Sequence, residues 1–334
     1  MKDKYIQLSH GGGGEEMNQL IKGMFFSAFD NEVLRQEEDA AVLSLSNQTA
    51  FTTDSFTVSP LIFNGGDIGK LAVAGTVNDL AMMGAQPLYL SCSFILEEGL
   101  AIETLGTIVE SMAKELQVSG ALVVCGDTKV VPRGCADGIF INTAGLGQLR
   151  RPGISAHQIR EGDAIIVSRD IGCHGATVLM NREGLELSSD LQSDCATLWP
   201  VVEALIAAGI DIHAMRDATR GGLSAVVNEW ARTAGIGITL DEKAIPVRDE
   251  VRGLCELYGM EPFDLANEGT FVLALPAEQA EVALAVMRHF SCCPEAAVIG
   301  CVDQRQIGRV LLTTPWGSLR YLDAPQGELL PRIC

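Results

Sequence analysis

Residues 67–83 read DIGKLAVAGTVNDLAMM, and this stretch decides what kind of molecule the chain makes. It predicts a helix whose apolar residues cover nearly the whole circumference, so the helix has to be buried on all sides. From Leu71 to Met83 the apolar run is interrupted by Asn78 and Asp79, and no run of 18 apolar residues occurs, so no span of a membrane is expected. Downstream, strands are predicted over Leu88–Ile95 and Ala121–Cys125. Between them, Ile102–Leu116 carries apolar residues at 102, 105, 108, 109, 112 and 116, the spacing of an amphipathic helix. A buried helix among alternating strands and helices is the signature of an α/β protein.

Upstream, Ala50–Phe56 reads as a strand carrying Asp54, and the acidic pair Glu38-Asp39 leads into an apolar strand over Ala40–Leu45. Before them, Gly11, Gly12, Gly13 and Gly14 feed an amphipathic helix through Met17, Leu20, Ile21, Met24, Phe25 and Ala28. A strand over Ile139–Leu146 completes the first half. Arg150-Arg151-Pro152-Gly153 reads as a linker, after which strand and helix patterns alternate again from Ala164–Ser168 to Val310–Thr313. The expected division is an N-terminal Gly-rich segment and helix at 1–35 and an α/β domain at 36–150. A second α/β domain follows at 151–313, and then a mobile tail at 314–334.

The chain has 334 residues, 47% apolar and 20% charged, which is globular composition with length for two cores. Its 24 basic and 43 acidic residues give a net charge of −19, which argues against nucleic acid and anionic membranes as partners. No basic-then-apolar leader opens the sequence, so a cytoplasmic, soluble protein is expected. The ten cysteines form no C-x-x-C pair, and several sit in apolar strand runs as reduced core residues, so zinc is not expected.

Asp39, Asp54, Asp79 and Asp127 each lie inside or at the end of an apolar element, with few basic residues near them in sequence. Buried carboxylates need a partner charge. Either these are exposed at strand ends or they converge on divalent cations. An all-oxygen donor set favours Mg²⁺, which shares phosphate oxygens with a nucleotide. The glycine loop before a helix can wrap an anion, although no Walker lysine follows it. The chain ends on Pro331-Arg332-Ile333-Cys334, after a segment rich in Pro, Gly and polar residues. From Trp316 onward that tail could reach roughly 60 Å when extended at ~3.3 Å per residue, enough to swing a thiol into a site or out to a partner.

Several motifs occur in this order: Ser9-His10 with Gly11–Gly14, Thr53-Asp54-Ser55, Asn78-Asp79-Leu80-Ala81, Gly126-Asp127-Thr128-Lys129-Val130, Asp217-Ala218-Thr219-Arg220-Gly221-Gly222 and Asn267-Glu268-Gly269. With the terminal Pro331-Arg332-Ile333-Cys334 they resemble the HypE family of hydrogenase maturation proteins. That family lies in the superfamily of ATP-using enzymes that includes aminoimidazole ribonucleotide synthetase and selenophosphate synthetase. The resemblance covers essentially the whole chain. Family sequences often have Pro where this chain has Ala218.

The resemblance implies an α/β (α+β) fold of two aminoimidazole ribonucleotide synthetase-like domains, dimerising through the N-terminal sheets. It implies ATP-dependent dehydration of a thiocarbamate on Cys334 to a thiocyanate, with the carbamoyl group received from a carbamoyltransferase, HypF. Cyanide would pass to a HypC–HypD complex for the iron of [NiFe]-hydrogenase. The phosphates would be held by Gly11, Gly12, Gly13, Gly14, Asp54, Asn78, Asp79, Asp127, Thr219 and Arg220. Magnesium would be held by Asp39, Asp54, Asp79, Asp127 and Asp217, with Lys129 and Glu268 as proton acceptors beside Cys334. Two alternatives stand: a non-catalytic carrier whose tail partners recognise, and a small-molecule synthetase of the superfamily. Selenophosphate synthetases keep a reactive Cys near the glycine loop, whereas the first Cys here is Cys92.

Overall fold

The computed structural model describes residues 3–11, 15–36, 41, 43–45, 48–183, 190–325 and 332–334; Gly12, Gly13, Gly14, Asp39 and Pro331 lie outside the described residues. Helices α1 (Glu15–Leu20) and α2 (Ser27–Phe29) flank a π-helical turn, Ile21–Phe26. The strand expected over Ala40–Leu45 is not formed by its described residues, 41 and 43–45. Then follow β1 (Thr49–Phe56), the short pair β2 (Ile62–Phe63) and β3 (Gly66–Asp67), α3 (Ile68–Met82), β4 (Ala85–Glu97), α4 (Ile102–Ser119), β5 (Leu122–Val131) and β6 (Ile139–Leu149). The longer strands form one sheet in the order β1-β6-β4-β5, in which only β4 and β5 are parallel, joined over α4.

α3 starts where Asp67 caps it, accepting from the N–H groups of Gly69 (2.7 Å) and Lys70 (3.0 Å). It is buried nearly throughout, as its apolar circumference requires, packed between the inner face of the sheet and α4. The π-helical turn also covers the sheet on that side, with Phe25 stacked on Phe94 at 4.6 Å. The outer face carries exposed apolar residues, Phe51, Ile95 and Leu122. Its rows, read across β1, β6, β4 and β5, are Phe51, Leu146, Tyr89, Leu122 and Ser55, Asn142, Ser93, Asp127.

The second half contains β7 (Asp163–Val167), α5 (Cys173–Glu183), α6 (Trp199–Ala207), β8 (Ala214–Asp217), α7 (Gly222–Ala234), β9 (Gly237–Asp241) and α8 (Asp249–Tyr258). It closes with β10 (Phe271–Pro276), α9 (Ala280–Met287), β11 (Ala297–Asp303), β12 (Val310–Thr313) and β13 (Leu319–Tyr321). Its sheet runs β13-β12-β9-β11-β7-β10-β8, antiparallel except for β12 against β9. Where the sequence suggested a mobile tail from 314 onward, β13 pairs with β12, and Leu322 is buried. Among the described residues no helix is long and apolar enough to cross a membrane. All ten cysteines are free, and five of them are buried.

Candidate active site

Carboxylates from both halves of the chain meet beneath α3. Asp54 on β1 accepts from Thr76 Oγ1 (3.4 Å), and Asp79 on α3 accepts from Thr52 Oγ1 (2.6 Å). Asp217 arrives from the end of β8, and Glu268 from the loop entering β10. Burial comes first among the causes that raise the pKa of Asp54, Asp217 and Glu268, and neighbouring carboxylates add to it. Asp54 is pushed up to about 6 by burial and by Asp79. Asp217 is pushed up to about 7 by burial, Asp79 and Asp54, against the opposing charge of Arg216. Glu268 is raised well above the carboxylate range by burial, Asp217, Asp194 and Asp54, and Arg220 is the cation that opposes the rise.

The side chain of Glu268 is 3% exposed, and its Oε1 has no partner among the described residues. Its main chain is held firmly. The buried Asp194 carboxylate accepts from the N–H groups of Glu268 (3.2 Å) and Gly269 (2.9 Å) and from Thr270 Oγ1 (2.7 Å). A buried polar oxygen without a protein partner is rare in folded proteins, which singles Glu268 out within the site.

The end of the chain enters this site. Cys334 is half-buried and Ile333 joins the core, with the Cys334 carbonyl accepting from Thr57 N at 2.9 Å. Burial and the charges of Glu268 and Asp54 push the thiol up to about 12, against Arg220. The thiol therefore lies within the field of the same carboxylates.

The other expected site residues divide. Asn78 is buried and spent on the protein itself. Its amide donates to the carbonyls of Ala196 (3.0 Å) and Glu268 (3.3 Å), and its Oδ1 accepts from Leu198 N (2.8 Å). Both amide hydrogens are used, so Asn78 is a bracket between the two halves. Thr219 and Arg220 form the turn into α7, where the Thr219 carbonyl accepts from Gly222 N at 2.9 Å. Ala218 donates its N–H to Thr270 (2.9 Å), a bond that Pro could not make.

Asp127, Lys129 and Gly11 are elsewhere. The expected strand end at Cys125 is overridden, because β5 continues to Val131 and carries Asp127 and Lys129 along the sheet edge opposite β1. Three interstrand steps of about 4.8 Å put Asp127 roughly 14 Å across the sheet from Ser55, the neighbour of Asp54. There the exposed Lys129 pairs with the exposed Asp127 at 3.1 Å. Gly11 lies against the same strand, where a Cβ would meet Val130 N at 2.7 Å. Lys129 thus does not adjoin Cys334 within one chain. Among the described residues no three His, Cys, Asp or Glu side chains are gathered into a metal cage. The set Asp54, Asp79 and Asp217 is close enough to interact but not to enclose an ion.

Cys173 and His174 turn to different partners, Asp170 for the thiol (3.0 Å) and Ser193 for the imidazole (2.8 Å), so they make no dyad. His213 is a structural histidine on Asp163 at 2.7 Å. Sequence reading missed Asp194, Thr52 and Thr76, because a carboxylate or hydroxyl that serves the main chain of a distant segment leaves no local pattern.

Residues 37–149 match the family described as AIR synthase related protein, N-terminal domain, and residues 160–313 its C-terminal domain. Carbamoyl dehydratase HypE of Rhodobacter capsulatus is 46% identical over 339 residues, covering 100% of this chain and 99% of that protein. The Escherichia coli K12 protein of the same name is 48% identical over 336 residues, covering 98% and 99%.

The chain belongs to the HypE family.

A solved structure of HypE in complex with ATP aligns with a TM-score of 0.94 at 46% identity, covering 98% of this chain and 99% of that one. The HypE chain of a HypE–HypF complex aligns at 0.80 and 44% identity, over 92% and 99%. Thiamine monophosphate kinase from Aquifex aeolicus, 18% identical with a TM-score of 0.62 over 93% and 100%, shares the fold with this HypE family member.

Proposed function

We propose that this chain is a carbamoyl dehydratase of hydrogenase maturation that acts on its own C-terminal S-carbamoylcysteine, at Cys334, with ATP. The observation that carries this reading is the entry of Cys334 into the field of Glu268, Asp54 and Arg220. The thiocarbamate oxygen attacks the γ-phosphorus of ATP, and the bond to ADP breaks. An imidate phosphate forms, which loses phosphate as the C≡N bond closes; the oxygen leaves on phosphate and both N–H protons go to bases. Glu268, once ionised, is a strong acceptor for one of them because its burial makes the proton hold tightly. Magnesium bound with the nucleotide offsets charge on the phosphates, and Asp54, Asp79 and Asp217 are the residues that would hold it.

Lys129, Asp127 and Gly11 lie at the far edge of the sheet, so this reading also takes the chain as a homodimer. The outer face, with Phe51 68% and Leu122 41% exposed, is the surface that a second copy would bury. That arrangement brings the β5 edge of one subunit toward the acidic cluster of the other. A carbamoyltransferase like HypF would load the thiol, and an acceptor of the HypC–HypD type would take the cyanide; the solved HypE–HypF complex supports the first of these. The rival reading, a carrier without chemistry, leaves the orphaned acid of Glu268 without a purpose.

The decisive experiment incubates S-carbamoylated protein with Mg-ATP alone and follows intact mass. Loss of one water with release of ADP and phosphate is expected, and an unchanged mass would overturn the proposal. Cys334→Ala should prevent loading yet keep ATP binding, whereas Asp79→Asn should accept the carbamoyl group and fail to dehydrate it.

A further inference from the structure

The docked tail is held by its main chain. The Arg332 carbonyl accepts from Ser59 N (3.2 Å) and from the Arg182 guanidinium, the Ile333 carbonyl from His174 Nε2 (2.7 Å), and the Cys334 carbonyl from Thr57 N (2.9 Å). Each of the last three carbonyls is therefore gripped, from α5 on one side and from the segment after β1 on the other. We propose that Arg182 and His174, two turns apart on α5, are positioning residues that hold the tail in register and so set where the Cys334 thiol sits relative to Glu268. This inference rests on the dehydratase reading above.

Hydrogen-bond chemistry fixes the histidine. A carbonyl only accepts, so Nε2 of His174 carries the proton and Nδ1 accepts from Ser193 Oγ at 2.8 Å. Burial lowers the pKa of His174 and keeps the ring neutral, which is the form with one donor and one acceptor. Phe63 packs edge-on to the ring at 5.3 Å and limits its tilt. Ser193 immediately precedes Asp194, whose carboxylate holds the main chain of Glu268 and Gly269. One short segment thus anchors the histidine that grips the tail and also the loop that presents the acid.

Arg182 also donates to the Ser59 carbonyl, which ties α5 to the N-terminal half of the site. On the tail side, Arg332 takes a left-handed φ of 53°, and its Nε donates to the Thr57 carbonyl at 2.8 Å. A non-glycine residue holds that conformation only where its surroundings fix it. The grip from Arg182 and His174 reads main-chain oxygens, while the tail's own side chains add to it: Arg332 through the Thr57 carbonyl and the Asp137 carboxylate, and Ile333 as the apolar anchor.

The test uses the full-length, unmodified protein and the rate at which iodoacetamide alkylates Cys334, followed on the C-terminal peptide after digestion. A hydrogen bond to a charged group is strong enough that losing it should change docking about tenfold or more. Arg182→Met is expected to raise Cys334 alkylation by about that factor and to slow single-turnover dehydration of the carbamoylated protein to match, with ATP affinity within about twofold. Arg182→Lys should restore part of both. His174→Gln, which keeps a donor, should perturb less than His174→Leu. Wild-type alkylation rates in Arg182→Met protein of unchanged Tm would overturn the proposal, as would slowed dehydration without faster alkylation. Alkylation requires neither carbamoylation nor ATP. If the wild-type protein fails to dehydrate, the dehydratase reading falls while the grip on the tail is still measured.

Discussion

Asp54 and Asp217 carry a signature that ordinary surface acids lack. Their folded pKa values, about 6 and about 7, lie above the unfolded value of 3.8. Between roughly pH 4 and 7 the folded chain therefore binds more protons than the unfolded one, and stability falls as pH rises through that window. Asp217→Asn should accordingly raise the Tm of the nucleotide-free protein at pH 7.5 by ~3–6 °C and leave it unchanged at pH 4, as scanning calorimetry would report. Magnesium with ATP should remove most of the difference. Glu268→Gln keeps the shape and the Asp194 bonds to the main chain, so ATP affinity and tail docking should persist. Its single-turnover dehydration should drop by about 10²–10⁴, the range for losing a positioned proton acceptor; a smaller loss would assign that proton to another group.

At the scale of elements, α3 and β5 show how local reading succeeds and fails. α3 was legible because a helix apolar on every side has only one place to go. The bracket made by Asn78 on that helix was not legible, since its partners, Ala196, Leu198 and Glu268, are more than a hundred residues away. Asn78→Ala strands two carbonyls and an N–H in the interior and should cost about 2–4 kcal/mol by urea denaturation. Gly126 and Asp127 are poor strand formers, and local preference alone favours an end of β5 near Cys125. Pairing with β4 overrides that preference, and Gly126 is what the pairing demands: a Cβ there would lie 2.2 Å from the Cys92 carbonyl oxygen.

For the whole molecule, the motifs divide between the two edges of one sheet. Asp54, Asp79, Asp217, Glu268 and Cys334 share one region, and Gly11, Asp127 and Lys129 the other. A single chain of this shape leaves the expected site in halves. Leu122→Glu, placed in the apolar row of the outer face, should convert the proposed dimer to a monomer in sedimentation velocity. It should lower ATP-dependent dehydration by at least about tenfold while the alkylation rate of Cys334 stays unchanged, because docking of the tail lies within one subunit. A monomeric variant with full turnover would show that one chain suffices.

The sequence by itself determined the α/β class, the buried helix, the acidic residues and the terminal thiol, since periodicity and residue chemistry are written locally. Tertiary structure decided which acids become neighbours, that Asn78 serves the fold, that Lys129 stands apart, and that the tail is gripped by its carbonyls. Those outcomes depend on contacts between segments far apart in the chain and on main-chain groups that every residue shares, and neither leaves a mark in the order of side chains.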